Sequence, residues 1–287
     1  MIRLRFWGTR GSTVSPGPAT RRYGGNTACV EITGFEKAIP GASRCPDTPR
    51  IILDGGTGLL SLQESLMAGP CGQGEGELHI LLSHYHWDHI QGIPFFSPLF
   101  VPGNRVIFYG ISVRDLRRSI ERLFTSVYSP HKGAQNVAAY LEYRPLAVTD
   151  MNVAGFHLQV ASNAHPGDAY TFRLRYGSHT VVYSTDHQSG DRDPSLVALA
   201  KGANLWILDA QYTPQERLAH QGWGHSSHLE ATRMALMAGV EIAVLFHHNP
   251  DHDDRTLDRM HEEAAQMAAQ SKTQVVMARD GMAIELR

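Results

Sequence analysis

Three imidazoles and one carboxylate fall within six residues, His84-Tyr85-His86-Trp87-Asp88-His89, directly after the apolar run Leu78 to Leu82. Side chains this costly to bury do not accumulate for packing. A borderline cation such as Zn²⁺ is held by imidazole nitrogens and carboxylate oxygens at about 2.0 to 2.2 Å, so its ligands must converge within a few ångströms. An H-x-H-x-D-H run at a strand end meets that need. In extended chain His84, His86 and Asp88 share a face, and a turn brings His89 back, so that two groups aim at one metal and two at a neighbour.

Further ligand types recur downstream, each closing a strand-like run. They are His165 in Asn163-Ala164-His165, Asp186 in Ser184-Thr185-Asp186, Asp209 in Ile207-Leu208-Asp209, and His247 or His248 in Leu245-Phe246-His247-His248. Any one of them alone reads as a solvated loop residue; the set, repeated at strand ends, reads as a metal centre.

The elements that must position these groups alternate between extended and helical patterns. Strands are expected at Ile2 to Phe6, Ala28 to Thr33, Ile51 to Asp54, Leu78 to Leu82, Phe156 to Ala161, Tyr170 to Tyr176, Thr180 to Ser184, Leu205 to Leu208, Ile242 to Phe246, Gln274 to Met277 and Met282 to Leu286. Helices are expected at Gly58 to Ala68, Ser112 to Val127 with Ser112 as N-cap, Ser226 to Ala238 and Arg255 to Gln270. Gly/Pro-rich stretches at Pro16 to Gly25, Pro40 to Pro49 and Gly69 to Gly76 read as loops. Two β-rich halves flanked by helices imply an α/β protein, a four-layer αββα sandwich. The run Pro94 to Pro102 is apolar yet broken by prolines, so 93–150 reads as a Pro/aromatic-rich insertion in one domain spanning 1–287. Phe95, Phe96 and Phe100 would serve there as core or homodimer contact, or as a lid over a planar substrate group.

Bulk composition narrows the function classes. The 287 residues are 42% hydrophobic and 19% charged with a net charge of -2, which excludes a disordered chain and gives no global basic field for a long nucleic acid. Three cysteines, Cys29, Cys45 and Cys71, form no C-x-x-C pair, so neither a disulfide framework nor a thiolate zinc site is implied. With no apolar stretch near the roughly 18 residues of a membrane span and no signal core, the expected setting is cytoplasmic, without a membrane partner.

The H-x-H-x-D-H run followed by a later His, an Asp and a terminal His resembles the metallo-β-lactamase superfamily over essentially the whole chain. The resemblance implies His84, His86 and His165 on one divalent ion, Asp88, His89 and one His of the 247–248 pair on a second, and Asp186 between them. Zn²⁺ suits these donors, with Mn²⁺ and Fe²⁺ as alternatives. Counting ungapped from Ala238-Gly239-Val240 selects His247; selecting by a small or polar preceding residue favours His248, since Phe246 replaces the usual Thr. Asp54, in Asp54-Gly55-Gly56-Thr57-Gly58, falls on the family's early Asp, which braces the ligand loop; without a following Lys this is no phosphate-binding P-loop. Gly224-His225-Ser226-Ser227 resembles the G-H-S-T of the tRNase Z-like and cyclic-phosphate phosphodiesterase branch, and Leu208-Asp209-Ala210 its H-E-A. The Asp at position 186, where zinc β-lactamases carry Cys, argues against antibiotic hydrolysis.

The resemblance implies a dinuclear hydrolase acting on a small phosphodiester, a cyclic nucleotide or ribose cyclic phosphate. Hydroxide held by the metals would attack phosphorus, Asp88 would orient or deprotonate it, and His225, supported by Asp209, would protonate the leaving oxygen. Arg10, with Asn26 and Thr27, would approach the phosphate or lie on the surface. An RNA-processing nuclease, a lactone or thioester hydrolase, and an idle metal-stabilised binding module are the alternatives. The net charge and the lack of a Gly/Pro-rich gripping arm weigh against long RNA.

Overall fold

Strand β1 (Ile2–Gly8) buries Ile2, Leu4 and Phe6 on one face and turns Arg3 outward, as period-two alternation requires. The computed structural model describes residues 1–34, 50–130, 133–146 and 150–287; Cys45 and the loop expected at 40–49 lie outside them. β1 pairs antiparallel with β2 (Cys29–Gly34) and with the last strand, β14 (Ala283–Leu286). From β2 the sheet continues through β3 (Arg50–Leu53), β4 (Glu77–Leu81), β5 (Arg105–Gly110) and β6 (Tyr140–Pro145), with β3 to β6 parallel.

The second sheet runs in the order β13 (Gln274–Met277), β12 (Ile242–Phe246), β11 (Leu205–Asp209), β10 (His179–Ser184), β9 (Tyr170–Tyr176), β8 (Phe156–Ser162), β7 (Met151–Val153). Its β10 to β13 half is parallel and the rest antiparallel. The parallel strands read as continuous apolar runs, Ile-Ala-Val-Leu-Phe in β12, because both of their faces are covered.

Leu4, Ile32, Leu53 and Leu81 of the first sheet meet Leu158, Leu174, Tyr183 and Ile207 of the second in a shared core, all fully buried. Outside the first sheet lie α1 (Gly58–Met67) and α3 (Val113–Leu123), packed through Leu59, Leu62, Leu116 and Ile120. Outside the second lie α4 (Asp193–Ala200), α6 (His228–Ala238) and α7 (Asp254–Ala268), through Leu196, Ala235, Leu257 and Met260. Each fully buried Leu or Phe stabilises by about 1.5 to 3 kcal/mol. The αββα sandwich expected from the sequence is the observed architecture.

Several boundaries differ from expectation. The 93–150 stretch is not an insertion outside the sheet, because it supplies β5 and edge strand β6, whose terminal Pro145 suits an edge. Within it Phe96 and Leu99 are buried against α1, while Phe95 remains 48% exposed. Ser112 caps α3 as expected, its side chain accepting from the Asp115 N–H, but the helix ends at Leu123. Helices α4 and α5 (Pro214–Ala219) were not anticipated. Among the described residues no helix is long and apolar enough to cross a membrane.

Candidate metal centre

The hexapeptide leaves β4 through Leu82 and Ser83, and only its first half is extended. His86 keeps extended backbone (φ -64°, ψ 155°) and caps a single helical turn, α2 (Trp87–Ile90). The expectation that Asp88 shares a strand face with His84 and His86 is therefore corrected. The turn carries Asp88 and His89 together to a second position.

Two groups result. His84, His86, His165 and Asp186 each offer a ligand atom within 4.8 Å of the others, and so do Asp88, His89, Asp186 and His247. In the first, His86 Nδ1 lies 3.0 Å from His165 Nε2, and Asp186 Oδ2 lies 3.6 Å from His84 Nε2 and 3.7 Å from His165 Nε2. In the second, His89 Nε2 and His247 Nε2 are 3.2 Å apart, with Asp186 Oδ1 at 3.1 and 3.2 Å and Asp88 Oδ2 at 3.2 and 3.1 Å from them. Asp186 thus turns one oxygen to each group. The second group is wholly buried, whereas His86 opens the first to solvent.

The donor chemistry fits a divalent cation. The buried Nε2 of His84 has no hydrogen-bond partner, and pairs of imidazole nitrogens face each other at 3.0 and 3.2 Å among carboxylates. Outer partners fix the tautomers that aim lone pairs inward. His165 Nδ1–H donates to the Gly224 carbonyl at 2.9 Å, and His89 Nδ1–H donates to Asp54 Oδ2 at 2.8 Å. Burial pushes His84, His86 and His165 below the usual imidazole range, toward the neutral form that ligates. For His89, burial is outweighed by Asp88, Asp186 and Asp54, which raise it well above that range. Burial would lift Asp88 and Asp186, but the surrounding imidazoles hold both well below the carboxylate range.

His247, not His248, reaches the cluster. His247 has positive φ (61°), and the next residue turns away: His248 Nε2–H donates to the Ala278 carbonyl at 2.8 Å. Burial, then the Arg10 charge, push His248 down to about 3, so it is a neutral structural imidazole. Asp54 (φ 60°) and Asp186 (φ 51°) share that left-handed backbone, each just beyond a strand.

His225 Nδ1–H donates to Asp209 Oδ2 at 2.7 Å, and its ring lies 5.1 Å from those of His165 and His247. Asp209, ending β11, is held in turn by the N–H groups of His187 and Gln211 at 3.1 and 3.0 Å. Burial would lower His225, but Asp209 first, then Asp186 and Asp88, raise it.

Asp54 braces the ligand loop, accepting from Ser83 N–H at 2.7 Å and Ser83 Oγ–H at 2.9 Å. Sequence reasoning missed its further partner, Tyr183, whose hydroxyl donates to Asp54 Oδ2 at 2.6 Å from the other sheet, and Ser12, whose N–H donates to Asp88 Oδ2 at 2.7 Å. It also missed why Gly224 must be glycine: φ is +89°, and a Cβ would come within 2.2 Å of His165 Nδ1. Arg10 was misread. It neither approaches a phosphate nor lies on the surface, but is fully buried, donating to the carbonyls of Gly24, Asn249 and His252 at 2.8, 2.9 and 2.7 Å.

Residues 49–248 match the family model described as the beta-lactamase superfamily domain, and the chain belongs to that superfamily of metal-dependent hydrolases. Within it the chain falls with the tRNase Z-like proteins. A ribonuclease Z of Methanopyrus kandleri is 33% identical over 232 residues, 72% of this chain and 78% of that one. An uncharacterized protein of Mycobacterium leprae is 31% identical over 267 residues, 87% of this chain and 78% of its own. The probable metallo-hydrolase YhfI of Bacillus subtilis is 32% identical over 184 residues, 61% of this chain and 68% of that one. A YhfI crystal structure superposes over 99% of both chains with a TM-score of 0.69 at 20% identity, a likeness of fold.

Proposed function

We propose that this chain is a phosphodiesterase of small phosphodiesters, a cyclic nucleotide or a ribose cyclic phosphate, working with two divalent ions, Zn²⁺ foremost. The observation that carries the reading is the His225–Asp209 pair at 2.7 Å beside two ligand groups that share Asp186. His84, His86 and His165 would hold one ion and Asp88, His89 and His247 the other; the pair, when bound, would neutralise phosphoryl charge and make water a competent nucleophile near neutral pH.

The chain's own groups supply the rest. Asp88, which accepts from the Ser12 N–H at 2.7 Å, would align the nucleophile. His225 has its Nδ1 committed to Asp209, so its Nε2 is the free position for a proton, and Asp209, Asp186 and Asp88 outweigh burial in favouring the protonated ring. As the oxygen nucleophile bonds to phosphorus and the P–O bond to the sugar breaks, the leaving oxygen takes that proton.

The name of the Methanopyrus kandleri relative favours a second reading, an RNA-processing nuclease, so structured RNA belongs in the assay panel. The test is metal content by mass spectrometry on protein purified without added metal, with hydrolysis of bis-p-nitrophenyl phosphate, cyclic nucleotides and RNA. Near two metals per chain with turnover of small phosphodiesters is expected. His225→Ala should then lower turnover by about 10² to 10⁴-fold with metal retained. Metal without phosphodiester turnover would redirect the reading to lactone or thioester hydrolysis, and metal loss in the His225 variant would make it a ligand.

A further inference from the structure

Four tryptophans divide sharply by exposure: Trp7 and Trp206 are 7% and 0% exposed, Trp87 and Trp223 are 47% and 62%. An indole, with an apolar body and a polar N–H, is enriched at binding surfaces. Both exposed ones belong to residues next in the chain to groups of the metal centre. Trp87 lies between His86, the solvent-open member of the first group, and Asp88 of the second. Trp223 precedes Gly224, whose carbonyl accepts from His165 Nδ1–H at 2.9 Å, and His165 Nε2 lies 3.0 Å from His86 Nδ1. One indole thus belongs to the residue after His86, and the other to the residue before Gly224, the partner of His165.

Each is also steadied by aromatic neighbours. The Trp87 ring lies 5.9 Å from that of Tyr128, itself 54% exposed. Trp223 sits 4.8 Å edge-on to His220, which stacks at 4.9 Å and 13° on Tyr212, which meets His225 at 5.9 Å. A train of rings thus runs from the proton donor to an exposed indole. Planar faces held in this way, on residues next in the chain to the proposed phosphate-binding centre, suit a flat heteroaromatic ring, since every nucleobase offers a π-face.

We infer, on the phosphodiesterase reading above, that Trp87 and Trp223 are the substrate-recognition residues that stack the nucleobase, making the substrate a nucleotide rather than a phosphodiester without a base. The test is binding of AMP and of ribose 5-phosphate, which lacks the base, to the metal-loaded protein, by calorimetry and tryptophan quenching; Trp7 and Trp206 supply a buried background. Trp87→Leu and Trp223→Leu should each weaken AMP by about 5- to 150-fold, the range of one lost stack. Ribose 5-phosphate should stay within about twofold, and Trp87→Phe and Trp223→Phe should restore most AMP affinity. Leucine variants that bind AMP like the parent, or lose both ligands in parallel with metal content unchanged, would overturn the inference. If Trp87→Leu sheds metal, Trp223→Leu alone decides. Base-dependent AMP binding without phosphodiester turnover would sink the phosphodiesterase reading and leave the stacking sites standing; turnover with no dependence on a base would do the reverse.

Discussion

His247 and His248 are chemically identical neighbours with opposite tasks, and the difference lies in one backbone angle. With φ at 61°, His247 swings its Nε2 into the cluster, 3.1 Å from Asp88, while His248 is left to bond Ala278. His247→Ala should lower metal per chain, whereas His248→Ala should keep the metal and lose about 1 to 3 kcal/mol of stability through the orphaned carbonyl. Mass spectrometry and thermal melts on the same samples separate the two; metal loss from the His248 variant alone would reverse the assignment. The other converging residues were legible because H-x-H-x-D-H concentrates donors that no packing argument needs. The choice between 247 and 248 was not, because left-handed backbone at a His has no spacing signature. Tyr183 was equally hidden, since it reaches Asp54 from 129 residues away, out of an ordinary apolar strand.

At the level of elements, α6 shows how a short motif places the proposed proton donor. Ser227 accepts from the Glu230 N–H while the Glu230 carboxylate accepts from Ser227 N–H at 2.8 Å, a capping box that fixes where the helix begins and hence where His225, two residues earlier, must lie. Ser227→Ala should cost about 1 kcal/mol, read in urea as a lower midpoint at unchanged slope; an unaltered midpoint would mean that tertiary packing alone sets the helix start. The same box opens α5, with Thr213, Pro214 and Glu216 in the right order, so that helix could have been found in the sequence. The strands β5 and β6 were obscured for a different reason. Prolines before β5 and at the end of β6 suggested irregular chain, although Val106, Ile107, Phe108 and Tyr109 make a buried parallel strand between them.

Taken whole, the molecule gathers its site from both sheets, with the hexapeptide following β4 and His165, Asp186 and His247 following β8, β10 and β12. The two-sheet architecture was legible from alternating patterns, because sandwich layers repeat the same apolar signal many times. The link between the sheets was not. Asp280, in the crossover from β13 to β14, accepts from Thr9 Oγ1–H and Asn26 N–H at 3.1 Å each, and burial raises it to about 6. A folded-state pKa above that of the unfolded chain means the native protein binds this proton more tightly, so stability falls as pH rises from about 4 through 6 and stays lower above. The span is roughly 3 kcal/mol at most. Asp280→Asn should flatten that stretch of the melting profile at fixed metal; a profile with the parent's slope would rule Asp280 out as its cause.

Asp54, Asp186 and His247, all at the centre, are three of the six non-glycine residues with left-handed backbone among the described residues. Each such residue costs of order 1 to 3 kcal/mol. Glycine would relieve that strain, yet at Asp54 it would also remove the acceptor of Ser83, His89 and Tyr183, and at Asp186 and His247 it would remove groups that face the proposed ions. Any library built to toughen this chain has to hold them fixed.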